Sequence, residues 1–218
     1  MIVFDLDGTL IDSRRDLAES TNEMLASYGA AALPLDDVLG MVGEGARVLV
    51  QRAMGAAGVG AAVTEALGRF REIYDRRLLV HTRPYDGVPE MLEVAARIAP
   101  LALLTNKPDA PTRRLLEAFG MSAMFRWVIG GDGPVPRKPD PAGLWAIMAE
   151  ARVPASGTWL VGDSMIDVLT ARHAGVRLCV VRYGFGQLRG ELELDGSEAV
   201  ASTPADIARL LAQAQNGS

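Results

Sequence analysis

Two aspartates near the start of the sequence are the residues best suited to chemistry. Asp5 and Asp7 lie in the segment Phe4-Asp5-Leu6-Asp7-Gly8-Thr9-Leu10, directly after apolar residues that predict a strand. Residues two apart along a strand point to the same side, so both carboxylates would emerge where open α/β sheets bind ligands, at the carboxyl end of the strand. Two acids this close repel, and such a pair can divide into a charged nucleophile and a protonatable acid.

A second pair of acids follows another apolar run, in the segment Gly162-Asp163-Ser164-Met165-Ile166-Asp167. Asp163 and Asp167 are four residues apart and would share one face of a helix that begins there. Together with Asp5 they would form a site of hard oxygen ligands. Such a site suits Mg²⁺ rather than zinc.

Two further polar segments supply hydrogen-bond donors and a cation. Thr105 and Asn106 follow an apolar run, and Lys138 lies in the proline-rich turn 136–141 ahead of a predicted helix. A phosphoryl group needs such donors and a positive charge to hold its oxygens. Each segment alone is an ordinary turn or helix cap, but their joint order along four predicted strand ends favours one shared site.

Short apolar runs that alternate with helical patterns would position these residues. Runs this short and this apolar are typical of parallel strands whose two faces are both covered by helices. A closing helix is predicted after Thr203, with Pro204 in its first turn. The pattern predicts an α/β fold with a Rossmann-like, doubly wound parallel sheet as its core. The predicted strands are 2–5, 101–105, 127–130, 158–162 and 177–181.

The first two predicted strands are separated by far more residues than one crossover helix needs. The intervening sequence has the periodicity of amphipathic helices over 16–28, 38–41, 46–54 and 64–79. We therefore predict a helical cap of residues 14–84 inserted into an α/β catalytic core of residues 1–13 and 85–218. Turn-forming residues bracket the cap, so the two connections could act as a hinge.

The composition is that of a globular protein and excludes several classes of function. The 218 residues include 22 Lys and Arg against 27 Asp and Glu, for a formal charge of −5. No basic run supports a nucleic-acid partner, and no apolar stretch is long enough to cross a membrane. Met1 runs directly into a strand-like segment without a cleavable leader, so we expect a cytoplasmic protein, either monomer or homodimer. We expect Cys179 to be a buried hydrophobe, and His81 and His173 to be ordinary surface or packing residues.

The four polar segments together resemble the motifs of a haloacid dehalogenase superfamily phosphatase. The first motif matches Asp5-Leu6-Asp7-Gly8-Thr9, the second Thr105, the third Lys138 and the fourth Gly162-Asp163 through Asp167. Within the superfamily the sequence is most similar to the phosphoglycolate phosphatase group. That similarity rests on residues 4–13, 42–49, 138–141 and 162–164. The resemblance covers nearly the whole chain.

The resemblance implies a Mg²⁺-dependent phosphomonoesterase that acts on a small phosphorylated metabolite, with 2-phosphoglycolate the best single candidate. Asp5 would attack phosphorus to give an aspartyl phosphate. Asp7 would protonate the leaving alkoxide and then deprotonate the water that hydrolyses the intermediate. Thr105, Asn106 and Lys138 would hold the phosphoryl group, and Lys138 would keep Asp5 charged.

The same resemblance implies the metal ligands. Mg²⁺ would be bound by the Asp5 side chain, the Asp7 backbone carbonyl and Asp163, with Asp167 acting through water or an outer contact. An acid at position 7 argues for phosphate esters, because dehalogenases of the superfamily lack one there and phosphonate hydrolases carry a small residue. Arg47, at the start of a predicted cap helix, would meet a substrate carboxylate on cap closure, or would be an ordinary exposed arginine.

Four alternatives remain open from the sequence, one of which is a non-catalytic binding protein on the same fold. A β-phosphoglucomutase-like phosphotransferase would share the aspartyl phosphate but pass it to a sugar hydroxyl, and another sugar or nucleotide phosphatase would differ only in its substrate. A non-catalytic phospho-accepting signalling module also combines acids with a Thr and a Lys on a parallel sheet. Such modules lack a helical insertion and lack an acid two residues after the acceptor.

Overall fold

A central sheet and the helices around it account for most of the chain. The computed structural model describes residues 1–186 and 192–216. In chain order the strands are β1 (Ile2–Phe4), β2 (Ile11–Asp12), β3 (Arg83–Pro84), β4 (Leu101–Leu104), β5 (Phe125–Ile129), β6 (Trp159–Gly162), β7 (Arg177–Val181) and β8 (Ala199–Ala201). The helices are α1 (Arg14–Ala26), α2 (Leu35–Leu39), α3 (Ala46–Ala56), α4 (Val63–Arg77), α5 (Val88–Ile98), α6 (Asp109–Ala118), α7 (Ala142–Ala151), α8 (Met165–Ala174) and α9 (Pro204–Asn216).

Six of the strands form one parallel sheet in the order β5-β4-β1-β6-β7-β8. The α/β fold predicted from the sequence is thereby confirmed, and the five predicted strands all lie in this sheet. The edge strand β8 was not predicted, because Ala199-Val200-Ala201 is too short to give a strand signal. Strand β1 lies in the interior of the sheet, with β4 and β6 as its neighbours on the two sides.

The two faces of the sheet bury separate sets of side chains, as the alternation of a strand requires. Ile2 and Phe4 pack into the apolar cluster that also holds residues of α5, α6 and α9. Val3 points the other way, into a cluster with residues of α7 and α8. Because helices cover both faces, each strand of the interior is an almost continuous apolar run.

The helices α1 to α4 form the segment between the first strand and the rest of the sheet. The chain enters and leaves it through β2 and β3, which pair antiparallel with Ile11 opposite Pro84. Asp16 of α1 ties the two connections together, because its buried carboxylate accepts hydrogen bonds from the backbone of His81 and from both the backbone and the hydroxyl of Thr82. A cap boundary at residues 14 and 84 stays a prediction.

Other expectations concern single residues and membranes. Cys179 is buried on β7, and burial raises the pKa of its thiol to about 12, so it behaves as the small hydrophobe predicted. His173 is exposed and lies against the backbone carbonyl of Pro139. His81 is half-buried beside Glu19. In the described residues we find no helix with the length and apolarity needed to cross a bilayer.

Candidate active site

The carboxyl ends of β1, β4 and β6 meet at one edge of the sheet and bring the predicted residues together. Asp5 directly follows β1, Thr105 follows β4 and Asp163 follows β6. The register holds them side by side, because Phe4 pairs with Leu103 on one side and with Val161 on the other. Lys138, from the loop before α7, reaches the same place.

Asp5 is a buried carboxylate held beside a cation. It is 8% exposed, and its Oδ1 lies 2.9 Å from Lys138 Nζ. Burial is the main influence on its pKa and raises it to about 6, with Lys138 opposing and Asp167 adding to the effect. Oδ1 accepts no hydrogen bond of good geometry, so the carboxylate keeps unused acceptor capacity.

Lys138 is shared between two carboxylates. Its Nζ lies 2.9 Å from Asp5 Oδ1 and donates a 2.6 Å hydrogen bond to Asp167 Oδ1. Burial disfavours the ammonium, but the charges of Asp167 and Asp5 outweigh burial and raise the pKa of Lys138. Lys138 is therefore a fixed positive charge beneath the site.

Asp163 and Asp167 meet in a different way from the one predicted. Helix α8 begins at Met165, so Asp163 precedes the helix and does not share a helical face with Asp167. Ser164 is the N-cap, and Asp167 closes the capping box by accepting hydrogen bonds from the Ser164 backbone and hydroxyl at 3.2 and 2.7 Å. Asp163 Oδ2 accepts hydrogen bonds from the backbone N–H groups of Phe185 and Gly186.

Glycines allow the backbone to close around Asp163. Gly8 has φ of +85°, and a Cβ added there would collide with the Asp163 carboxylate. A Cβ on Gly184 would collide with the same carboxylate and with the Gly8 carbonyl. Close approach by two loops is therefore possible only with glycine at these positions. The sequence analysis does not predict the approach of the loop at 184–186 to Asp163.

Asp7 is held by two donors, one of which the sequence analysis missed. Ser13 Oγ donates a 2.6 Å hydrogen bond to Asp7 Oδ1, and Lys107 Nζ contacts both carboxylate oxygens at 2.9 and 3.0 Å. Lys107 also donates a 2.7 Å hydrogen bond to the hydroxyl of Tyr74 on α4. Burial lowers the pKa of Lys107, but the opposing charge of Asp7 and the contact with Tyr74 raise it above the ordinary value.

Lys107 was visible in the sequence only as the residue after Thr105-Asn106. A lysine next to a polar turn is usually solvated, and no spacing in the sequence links it to an acid one hundred residues away. The contact depends on the register between β1 and β4, which only the fold supplies.

Thr105 and Asn106 lie at the end of β4, where they were predicted to hold a phosphoryl group. Thr105 Oγ1 accepts a 3.2 Å hydrogen bond from the Lys107 backbone, which leaves its hydroxyl hydrogen available. The Asn106 amide already donates to the carbonyls of Gly43 and Lys138, each at 2.9 Å. Its side chain therefore joins the loop before α3 to the Lys138 loop, and phosphoryl contact by Asn106 stays a prediction.

A cavity of about 300 Å³ opens above Asp5 and separates it from α3 and α4. Asp5, Asp7, Thr105, Asn106 and Asp163 line it from the side of the sheet. The opposite wall consists mainly of residues from the four-helix segment, which are Leu17, Val42, Gly43, Gly45, Ala46, Leu49, Phe70, Arg71, Tyr74 and Asp75. Arg47 is exposed and does not line the cavity, so the structure does not bring it to the other predicted site residues.

Three buried acids have the donor set for a hard divalent cation. Asp5, Asp163 and Asp167 each offer an oxygen, and these oxygens lie within 4.8 Å of one another. Burial, followed by repulsion from Asp167 and Asp5, raises the pKa of Asp163 well above its ordinary value, and a cation would relieve that repulsion. Both oxygens of Asp167 are already bound by Lys138 and Ser164, which fits a supporting role better than direct ligation.

Comparison with known proteins agrees with this arrangement. A family model for haloacid dehalogenase-like hydrolases matches residues 2–181. Phosphoglycolate phosphatase 1 of Pseudomonas aeruginosa is 41% identical, over 87% of this chain and 71% of its own. Phosphoglycolate phosphatase of Rhodospirillum rubrum is 42% identical, over 85% of this chain and 80% of its own. A crystal structure from Haemophilus somnus, described as a predicted phosphoglycolate phosphatase, superposes with a TM-score of 0.91 at 30% identity and covers 96% of both chains.

The chain belongs to the haloacid dehalogenase-like hydrolase family. Within that family, curated relatives that are 41% to 42% identical to this chain are named phosphoglycolate phosphatases. The resemblance predicted from the sequence and the phosphatase class predicted with it are confirmed. The cytoplasmic location and the monomeric or homodimeric state stay predictions.

Proposed function

We propose that this chain is a Mg²⁺-dependent phosphomonoesterase that hydrolyses 2-phosphoglycolate to glycolate and phosphate through an aspartyl phosphate on Asp5. The observation that carries the proposal is the position of the Asp5 carboxylate. It faces a cavity of small-molecule size, and a buried cation and two further acids surround it.

Asp5 fits the role of nucleophile. The fixed ammonium of Lys138 lies against its carboxylate and favours the ionised form against the effect of burial. An oxygen of this carboxylate attacks phosphorus in line, the bond from phosphorus to the leaving oxygen breaks, and the electron pair leaves with that oxygen. The Thr105 hydroxyl donates to the transferring phosphoryl group from the neighbouring strand.

Asp7 fits the role of general acid and then general base. It follows Asp5 by two residues, lines the same cavity and is oriented by Ser13 and Lys107. Asp7 donates a proton to the departing alkoxide and later takes one from the water that hydrolyses the aspartyl phosphate. The two donors hold its carboxylate on the cavity side, so one acid can serve both half-reactions.

The metal-binding residues would be Asp5 and Asp163, with the Asp7 backbone carbonyl as a further ligand and Asp167 in support. When bound, Mg²⁺ would neutralise negative charge on the phosphoryl oxygens and on the clustered acids. The donor set supports a divalent ion of this kind, since every side-chain ligand atom is a carboxylate oxygen.

Phosphate release from 2-phosphoglycolate tests the proposal directly. Wild-type protein is assayed with Mg²⁺ and with EDTA, and Asp5→Asn is compared with Asp86→Asn, an exposed aspartate outside the cavity. We expect turnover only with the metal, loss of turnover in Asp5→Asn and no loss in Asp86→Asn. Undiminished turnover in Asp5→Asn contradicts the mechanism. Transfer of phosphate to a sugar without release of inorganic phosphate contradicts the hydrolase assignment.

A further inference from the structure

Two cations line the cavity in the described part of the chain, and they differ in how they are used. Lys107 is buried and fully engaged by Asp7 and Tyr74. Arg71 of α4 is exposed at the cavity wall, and no described residue forms a hydrogen bond or an ion pair with it. Arg71 is therefore the cation of this cavity with unused donors.

The one acid of α4 in the cavity lining is not paired with Arg71. Asp75 lies one helical turn further on and lines the same cavity, but its carboxylate is bound by Arg114 of α6. On the other side of the cavity, Asp132 accepts a hydrogen bond from the backbone of Asp109. An anion that entered the cavity would thus meet a guanidinium that has no ion-pair partner among the described residues.

The surroundings of Arg71 strengthen its attraction for an anion. Phe70 and Tyr74 lie beside it on the cavity wall, with their rings stacked at 5.6 Å, and Leu49 of α3 lines the same wall. Apolar walls lower the local dielectric, which makes a charge pair stronger than it would be in open water. A guanidinium can bind a carboxylate with two parallel hydrogen bonds, which a lysine cannot do.

We propose that Arg71 binds a carboxylate on the leaving group and so selects phosphorylated acids over neutral phosphate esters. This inference rests on the proposed function, because it assigns the second anionic group of the substrate at the same site. The phosphoryl group occupies the end of the cavity at Asp5, and the leaving group extends toward α4. Arg71 takes the role that the sequence analysis gave to Arg47, which is outside the cavity lining.

Two esters of similar size separate this role from a structural one. The first is 2-phosphoglycolate, and the second is 2-hydroxyethyl phosphate, in which an alcohol replaces the carboxylate. For Arg71→Ala we expect kcat/KM on 2-phosphoglycolate to fall by about 10- to 100-fold, as for loss of hydrogen bonds to a charged group. On 2-hydroxyethyl phosphate we expect a change of less than about threefold. Arg71→Lys should lie between, because it keeps the charge and loses the paired geometry.

Matched variants and the wild type separate a failure of the Arg71 assignment from a failure of the proposed function. Arg76→Ala removes an arginine from the same helix outside the cavity, and it should leave both rates unchanged. An equal loss on both esters, no loss on either, or a selective loss in Arg47→Ala overturns the assignment of Arg71 and leaves the proposed hydrolase intact. Wild-type protein that releases phosphate from neither ester overturns both proposals.

Discussion

Lys107 and Asp7, one hundred residues apart in the chain, form an ion pair at the wall of the cavity. The same ammonium donates a hydrogen bond to the Tyr74 hydroxyl, so it joins the loop after β1 that carries Asp7 to α4 of the four-helix segment. Lys107 therefore orients Asp7, the proposed acid–base residue, and also contacts the opposite wall of the cavity.

Replacing Lys107 by Met should destabilise the protein and slow its reaction. The variant leaves the Asp7 carboxylate without its cation, and breaking a buried pair in this way costs about 3 kcal/mol. Tyr74→Phe removes only one hydrogen bond to the ammonium and should cost about 1 kcal/mol. Urea unfolding and kcat for phosphate release measure both effects. Equal free energies of unfolding for Lys107→Met and wild type would show that the ion pair of Lys107 and Asp7 does not stabilise the fold.

Asp7→Asn should separate the two half-reactions. With p-nitrophenyl phosphate, whose leaving group needs no proton, Asp5 can still be phosphorylated, but no base remains to activate water. We expect a burst of nitrophenol equal to the enzyme concentration, followed by turnover slowed by about 10²- to 10⁴-fold. Intact-protein mass spectrometry should find one phosphoryl group per chain. Asp5→Asn is the control and should give neither burst nor added mass.

The metal-free protein should lose stability as the pH rises, and Mg²⁺ should restore it. An acid whose pKa is higher in the folded chain than in the unfolded chain stabilises the fold when protonated. For Asp5 that contribution is complete below the unfolded value of 3.8 and is lost as the pH rises through about 6. The midpoint of thermal unfolding in EDTA should therefore be lower at pH 8 than at pH 5. Added Mg²⁺ should raise this midpoint more at pH 8 than at pH 5.

Asp163→Asn is the control for the pH series, because it removes one of the repelling charges at nearly constant shape. In EDTA its midpoint should fall less than that of wild type between pH 5 and pH 8. A midpoint for wild type that rises over this range, or a Mg²⁺ effect independent of pH, would argue against a metal site at these acids.

Gly8→Ala should disturb the packing around Asp163, and Gly29→Ala is the matched control for this variant. Both Gly8 and Gly29 have a positive φ, at +85° and +74°, so alanine at either position costs about 1 kcal/mol. A Cβ at Gly8 also collides with the Asp163 carboxylate, whereas a Cβ at Gly29 meets no atom within 4 Å. We expect Gly29→Ala to lower stability slightly with full activity, and Gly8→Ala to lose both stability and activity. Similar activities in the two variants would contradict the close packing at Asp163.

The sequence predicts five of the six strands of the main sheet because each of those five is encoded locally. Runs such as 177–181 are apolar throughout, and parallel order places their carboxyl ends together. Asp5, Thr105 and Asp163 were found for that reason, since each follows a strand directly. Strand β8 was missed because Ala199-Val200-Ala201 forms a strand only through its pairing with β7.

Residues that act across the cavity could not be read from local pattern. Arg47 and Arg71 both lie on amphipathic helices of the inserted segment, and periodicity alone does not say which face meets the sheet. Both side chains are exposed, but the structure places Arg71 in the cavity lining and Arg47 outside it. Lys107 was missed for the same kind of reason, because its partners Asp7 and Tyr74 come from other parts of the fold.

The antiparallel pairing of Ile11 with Pro84 has a consequence for how such enzymes diversify. Because β2 and β3 pair with each other, the chain enters and leaves the segment of α1 to α4 at adjacent points, and other helices could replace these four without changing the distance that the main chain must bridge. A chimera that takes the segment between Ile11 and Pro84 from another member of the family should keep the same acids at the sheet edge. It should act on a phosphate ester with a different leaving group.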